Sequence, residues 1–233
     1  MKELYQLMDN YEQFHVYVDD THGMSWTGKN GSGYVLSEVP FHDQMILVTS
    51  LNKAFSAAGG VTVFPNEKTR DLVRNCGRPF IFSGPIQPPL LGACIASAKI
   101  HLSPEIYTMQ NQLQERVQHI NSKCDELELP LIFKNNTPVF FIGVSKPSVA
   151  YSMVKRLINR GYFFNLSVFP SVAINNAGLR IPVSRNHSFE DINGLLENIA
   201  TELPFALREA GLDINDIFKA FKMENPFVKV QNQ

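Results

Sequence analysis

Cysteine is scarce in this chain, and its spacing excludes two classes of protein. The 233 residues include three cysteines, Cys76, Cys94 and Cys124, with no CxxC pair and no histidine cluster at metal-ligand spacing. A disulfide-stapled miniprotein is excluded, and no metal site is expected. An odd number of free thiols is typical of a reducing compartment, so we expect a cytoplasmic protein.

The chain also lacks charge of one sign and long apolar runs. Its 21 Lys and Arg balance 22 Asp and Glu, while 44% of the residues are hydrophobic. Because the chain has no excess of basic residues, no nucleic-acid partner is expected. No run of about eighteen apolar residues could span a bilayer, and the first residues lack a signal-peptide pattern. The composition therefore indicates a globular protein with no membrane partner.

Apolar strands that end in polar residues occur twice in the first half. One covers residues 15–18 and ends in Asp19 and Asp20, and the other covers residues 45–50. Ligands bind at the carboxyl ends of strands in open α/β sheets. A third strand, at 61–64, follows too soon for a helical crossover, so we expect it to return antiparallel.

Helices are predicted on both sides of these strands. Residues 3–14 carry an apolar stripe at helical spacing, and residues 67–76 form a helix with Asn66 as N-cap and Gly77 just beyond its end. A proline-rich loop is expected from Arg78.

The second half predicts a smaller α+β domain. A long helical pattern over 90–124 is interrupted near Ser103, and we place the domain boundary near residue 100, giving domains 1–100 and 101–233. The later elements follow the order β-α-β-β-α: strand 139–144, helix 147–160, strands near 163–169 and 179–183, and a helix opened by Ser188.

Asp19, Asp20 and His22 form the first candidate site. A carboxylate there could pair with a cationic ring nitrogen, and the imidazole could donate to a phenolate-like oxygen. The alternative is that these residues only terminate a strand and satisfy the turn that follows.

Lys53 is the second candidate, three residues after Ser50. Its amine is suited to nucleophilic catalysis on a carbonyl, and the hydroxyls of Thr49 and Ser50 could hold a phosphate. Lys53 could equally be a solvated loop lysine. Arg180, in a predicted apolar strand, is suited to bidentate capture of a carboxylate, unless it points into solvent.

Taken together, these groups match the needs of an enzyme that uses pyridoxal 5'-phosphate. Such an enzyme needs an acid at the ring nitrogen, a lysine for the aldehyde, donors for the phosphate and a cation for the substrate carboxylate. The sequence resembles the α-oxoamine synthase family of fold-type-I pyridoxal phosphate enzymes. The resemblance rests on VDDTHG at 18–23, GKNGSG at 28–33, TSLNK at 49–53, GG at 59–60, RPFIFS at 78–83 and LRI at 179–181.

The resemblance implies a role for each site residue. Asp19 would keep the pyridine nitrogen protonated, and His22 would hydrogen-bond the ring oxygen. Lys53 would bond the cofactor aldehyde and later transfer a proton. Ser50 would donate to the cofactor phosphate, and Arg180 would hold the substrate carboxylate.

Further expectations follow from the loops. Ser83 aligns with a loop that in the family reaches the phosphate from the neighbouring subunit. Where many members have a second glycine soon after Gly23, this chain has Ser25. His187, beside Ser188 and Asp191, belongs to a helix start that resembles a capping box, and His42, His101 and His119 receive no role.

The implied fold is a partial fold-type-I large domain with a mixed, mostly parallel sheet, followed by the small α+β domain. The family's large domain begins well upstream of the strand that carries Asp19, so we expect a portion that lacks the front of the fold and exposes an apolar face. A homodimer or a complementary N-terminal chain would complete it.

The implied activity is acyl transfer that condenses an amino acid with an acyl-CoA thioester. Two alternatives remain open at this point: a pyridoxal phosphate-dependent aminotransferase, and a non-catalytic remnant or partner subunit that acts by association.

Overall fold

The computed structural model describes residues 1–227. The chain divides into two compact units, Met1–Asn111 and Gln112–Gln233. The domain assignment made from the sequence, with its boundary near residue 100, stays a prediction. Among residues 1–227, no helix combines the length and the apolar character needed to cross a membrane.

The first unit contains a three-stranded sheet in the order β1-β2-β3. The strands β1 and β2 run parallel, and β3 pairs antiparallel with β2, which confirms the predicted antiparallel return. The elements of this part of the chain are α1 (Lys2–Asn10), β1 (Val16–Asp19), α2 (Tyr34–Glu38), β2 (Met45–Ser50), β3 (Gly60–Val63), α3 (Glu67–Cys76), α4 (Arg78–Ile81), α5 (Pro88–His101) and α6 (Glu105–Glu126), whose last part belongs to the second unit.

One face of this sheet is covered and the other is open. Met45 and Leu47 of β2 are buried in a core with Met8 of α1 and Val35 of α2. Side chains alternate between the faces of a strand, and on the open face Tyr17 is 69% exposed. All four residues of β3 are exposed as well. The predicted exposure of apolar surface is therefore confirmed.

Local signals set the boundaries of α3 and α4. The Asn66 side chain accepts the backbone N–H of Thr69 at 2.9 Å and caps α3, as predicted. The prediction of a loop from Arg78 is wrong at its start, where the chain first forms the short helix α4. Pro79 lies in the first turn of this helix. Backbone N–H groups in a first turn have no partner within the helix, so proline, which lacks an N–H, costs no hydrogen bond there.

The second unit is an antiparallel sheet with helices, in the predicted order β-α-β-β-α. The strand order is β4-β6-β5, and Phe140 and Leu179 of this sheet are fully buried in the core. Ser188 caps α8 through a capping box with Asp191, as predicted. The elements are β4 (Val139–Ser145), α7 (Pro147–Ile158), β5 (Asn165–Ser167), β6 (Ala177–Pro182), α8 (Phe189–Glu209) and α9 (Ile214–Ala220).

Candidate active site

The carboxyl ends of β1 and β2 lie side by side. The strands are parallel, with Asp19 opposite Val48, and the backbone N–H of Asp20 donates to the carbonyl of Val48 at 2.8 Å. The chain leaves β2 at Ser50 and enters the loop that carries Lys53. Parallel pairing thus brings the predicted acid and the predicted lysine to one edge of the sheet.

The Asp19 carboxylate is exposed, and its surroundings favour the ionised form. Its Oδ1 accepts the backbone N–H of Thr21 at 2.9 Å. This bond, followed by one from the Thr21 hydroxyl, lowers the pKa of Asp19, and the positive charges of Lys53 and His22 lower it further. Lys53 and His22 therefore both lie within electrostatic range of Asp19.

Asp20, the next residue, is buried and has a structural role. Its Oδ2 accepts the backbone N–H of Val35 at 2.9 Å, at the start of α2. Burial raises the pKa of Asp20, although hydrogen bonds from the N–H groups of Val35, Tyr34 and Gly23 oppose that effect. Of the two adjacent carboxylates, only Asp19 is placed to meet a ligand.

Lys53 lies in a loop closed by its own backbone. Leu51 donates to the carbonyl of Gly59 at 2.9 Å, and Ala57 donates to the carbonyl of Leu51 at 2.7 Å. The Lys53 side chain is exposed, and within residues 1–227 its amine makes no hydrogen bond or salt bridge with another side chain. The loop thus presents an amine that is available for reaction.

His22 is also exposed, on the loop that leaves β1. Its backbone carbonyl accepts a hydrogen bond from the indole N–H of Trp26. This contact orients the backbone at His22 and leaves the imidazole at the surface.

The two serines predicted to bind phosphate already have partners. Ser50 is buried and its hydroxyl donates to the side-chain oxygen of Asn52, while the Ser83 hydroxyl donates to the carbonyl of Pro79 in an exposed segment. Each hydroxyl would have to rotate before it could donate to a phosphate. Their assignment as phosphate ligands stays a prediction.

Arg180 lies on the middle strand of the second unit's sheet. It is opposite Phe141 of β4 and Asn165 of β5, and its side chain is half-buried. Within the described residues the guanidinium has no hydrogen bond or salt bridge. Its predicted strand is confirmed, and its predicted role in carboxylate binding is not tested by these contacts.

His101 has no predicted role, and it is buried beside the Lys53 loop. Its ring packs on Phe55 with centroids 4.7 Å apart, and its Nε2 lies 2.9 Å from the hydroxyl of Ser25. These partners lie far from it in sequence, so no local motif indicates the contact. Over residues 1–227, no three His, Cys, Asp or Glu side chains gather at a possible metal site.

Comparison with known proteins decides the family. A family model described as aminotransferase class I and II matches residues 1–199. The chain belongs to this family. Its resemblance to the α-oxoamine synthases is confirmed by a relative of that type: 8-amino-7-oxononanoate synthase 1 from Bacillus velezensis is 30% identical over 199 residues, which are 85% of this chain and 50% of the relative.

Solved structures confirm the predicted fold-type-I architecture. The 8-amino-7-oxononanoate synthase from Francisella tularensis superposes with a TM-score of 0.72 at 24% identity, over 86% of this chain and 58% of that chain. A serine palmitoyltransferase variant from S. paucimobilis, with a bound PLP-myriocin aldimine, gives a TM-score of 0.77 at 19% identity, over 90% of this chain and 51% of that one. The chain spans about half the length of the curated relatives it matches.

Proposed function

We propose that this chain is a portion of a pyridoxal phosphate-dependent C-acyltransferase of the α-oxoamine synthase type, which condenses an amino acid with an acyl-CoA thioester. The observation that carries the proposal is the parallel pairing of β1 and β2, which places Asp19 and the loop that carries Lys53 at the same edge of the sheet. The family match and the named relatives supply the reaction class.

The residues at this edge of the sheet are suited to bind the pyridine ring of pyridoxal phosphate. Only one oxygen of Asp19 is used by the Thr21 backbone, so the other can accept a hydrogen bond from a protonated pyridine nitrogen. An ionised carboxylate is the form needed for that bond, and the lowered pKa of Asp19 maintains it. When bound, the cofactor would supply an electron-accepting ring.

Each of the other side chains has a defined task in this proposal. The amine of Lys53 would hold the cofactor at its aldehyde group and would move a proton at the substrate Cα. The imidazole of His22 donates to the oxygen on the ring, and Arg180 binds the substrate carboxylate through its planar guanidinium. Ser50 and Ser83 are proposed as phosphate donors, which requires both hydroxyls to leave their present partners.

We also propose that further polypeptide, either a second copy or a complementary N-terminal chain, covers the open part of the first unit. The four exposed residues of β3 support this, as does Phe82, whose side chain is 92% exposed. An exposed strand edge with apolar neighbours favours association. The cytoplasmic location rests on the cysteine argument and belongs to the same proposal.

The test is reaction of the purified chain with pyridoxal phosphate, followed by borohydride reduction and peptide mapping. A visible absorbance band and a reduced adduct on Lys53 are expected, and both should vanish in Lys53→Ala. Lys68→Ala is the matched control, since Lys68 is an exposed lysine on α3, and it should keep both signals. An adduct spread evenly over the exposed lysines would contradict the proposal.

The reaction class is tested by adding amino acid and acyl-CoA to the chain, alone and mixed with a complementary N-terminal chain. Release of free CoA that depends on the amino acid is expected of an acyltransferase. Formation of an oxo acid without CoA release would favour an aminotransferase. The absence of either product, despite an adduct on Lys53, would favour a non-catalytic partner subunit.

A further inference from the structure

His101 connects the two loops that carry the proposed catalytic residues. It is 8% exposed and lies at the end of α5. On one side its Nε2 meets the hydroxyl of Ser25, three residues after His22. On the other side its ring packs on Phe55, two residues after Lys53. One buried imidazole thus contacts both loops.

The hydrogen bonds of His101 define how its ring is protonated. Its Nδ1 lies 2.8 Å from the backbone carbonyl of Ser97. A carbonyl oxygen only accepts, so Nδ1 carries the proton and donates to it. In the neutral ring Nε2 is then an acceptor, and the Ser25 hydroxyl donates to it at 2.9 Å. Both nitrogens are satisfied, which favours one fixed ring orientation.

Ser25 holds a backbone conformation that glycine adopts more readily. Its φ is 77°, in the left-handed region where a side chain is disfavoured. Its N–H donates to the carbonyl of Gly31 at 2.9 Å, and its own carbonyl accepts the side-chain amide of Gln110 at 3.0 Å. A strained residue persists where its surroundings over-determine it. The hydroxyl that glycine lacks is the group that reaches His101.

Gly31 leaves the space that the imidazole fills. A Cβ at Gly31 would lie 2.7 Å from Cδ2 of His101 and 2.9 Å from the Cα of Ser25. The close approach of ring and loop therefore depends on a glycine at position 31.

The Lys53 loop is attached to the same helix by a second contact. The hydroxyl of Ser97, one turn before His101 on α5, donates to the carbonyl of Phe55 at 2.6 Å. Phe55 is itself buried. The loop from 51 to 59 is therefore fixed to α5 through both the backbone and the side chain of Phe55.

We propose that Ser25 and His101 are positioning residues that fix the His22 loop relative to the Lys53 loop. The inference rests on the proposed function, because the distance between the two loops matters only if His22 and Lys53 act at the same site. Neither residue contacts the reacting groups, and both act through the loops that carry them.

Hydrogen exchange on the full chain tests the coupling without any cofactor. Ser25→Gly removes the hydroxyl and relieves the backbone strain, so a local effect would stay in the 25–33 loop. The proposal instead predicts that the amides of Leu51 and Ala57, which Ser25 does not contact, exchange about fivefold faster, as expected for loss of one hydrogen bond. His101→Phe, which keeps an aromatic ring on Phe55, should give the same change.

The control is His119→Phe, which replaces a histidine that packs on Phe189 in the second unit and should leave both loops unchanged. The amide of Val16, bonded to the carbonyl of Gln44 at the other end of β1, lies away from both loops and should not change. If Ser25→Gly leaves Leu51 and Ala57 at the wild-type rate, the proposal is wrong.

The rate at which the visible band appears with pyridoxal phosphate is the second measurement. Ser25→Gly should slow formation of the Lys53 adduct about fivefold, while His119→Phe should leave the rate of adduct formation at Lys53 unchanged. An unchanged Lys53 rate would overturn the positioning role. Failure of the wild-type chain to form a Lys53 adduct would instead count against the proposed function, and the exchange measurement would still decide the coupling.

Discussion

Asp19 and Asp20 are adjacent carboxylates with opposite environments. Asp19 is exposed at the end of β1, where its pKa is lowered, whereas Asp20 is buried and accepts the backbone N–H of Val35 at 2.9 Å. Alternation along the strand sends consecutive side chains to opposite faces. Asp19 is thereby left accessible at the surface, and Asp20 holds the start of α2.

The loop around Asp20 should not tolerate a side chain at position 23. An ideal Cβ on Gly23 would lie 2.0 Å from Oδ1 of Asp20 and 2.7 Å from the backbone nitrogen of Tyr34. We expect Gly23→Ala to lower the free energy of unfolding by about 1–3 kcal/mol, the range typical of overpacking.

Gly92→Ala is the matched control for this substitution. Gly92 lies inside α5 with open space around the position of a Cβ, so alanine there should stabilise the helix by about 0.5–1 kcal/mol. Denaturant unfolding of both variants checks the pair. A Gly23→Ala variant at least as stable as the wild type would show that the crowding at Gly23 is relieved without loss of stability.

The start of α8 should depend on Ser188. Its hydroxyl accepts the N–H of Asp191 at 3.0 Å, and Asp191 accepts the N–H of Ser188 in return. Ser188→Ala should destabilise the chain by about 1 kcal/mol. Thr201→Ala, on the same helix, removes a hydroxyl that among residues 1–227 bonds only the carbonyl of Glu197, and its effect in thermal unfolding should be smaller.

Acid should weaken the contact between α7 and α8. Hydrogen bonds from Arg156 and then Arg160 lower the pKa of Glu202 below its ordinary 4.5. A carboxyl whose pKa is lowered on folding stabilises the fold above its unfolded value, and the stabilisation is lost as the pH falls through the folded value. Glu202→Gln should therefore lower the melting temperature at pH 7, and the difference from wild type should shrink below pH 4.5.

Glu190→Gln provides the control for the acid effect. Glu190 lies in the first turn of α8 and, within residues 1–227, forms no salt bridge. The melting temperature of Glu190→Gln should stay close to that of the wild type from pH 7 downwards. If the melting temperatures of Glu202→Gln and wild type differ by a constant amount down to pH 3, the ion pairs with Arg156 and Arg160 do not stabilise the fold.

Sequence reasoning succeeded where the signal was local or periodic. Asn66 and Ser188 cap their helices through residues three positions ahead, so the caps could be read directly. Apolar runs gave the strands, and the short connection before β3 gave its direction. The prolines after Arg78 indicate a loop, and the short helix there is not predicted because proline also suits a first helical turn.

Contacts between distant residues could not be predicted in this way. Ser25 and His101 are 76 positions apart, and nothing near either residue specifies the other. The two aspartates at the end of β1 could be distinguished only by knowing which face of the strand is covered. The candidate residues Asp19, His22, Lys53 and Arg180 follow from residue type and position, whereas their roles follow from the resemblance and remain proposals that the geometry around Asp19 supports.

The pKa of Asp19, measured by carboxyl-carbon NMR, tests most directly whether Lys53 and Asp19 share a site. The positive charge of Lys53 contributes to the lowered pKa of Asp19, so Lys53→Gln should raise that pKa, because loss of a nearby cation disfavours the carboxylate. Lys68→Gln should leave it at the wild-type value. An Asp19 pKa that is the same in Lys53→Gln and wild type would contradict the shared site.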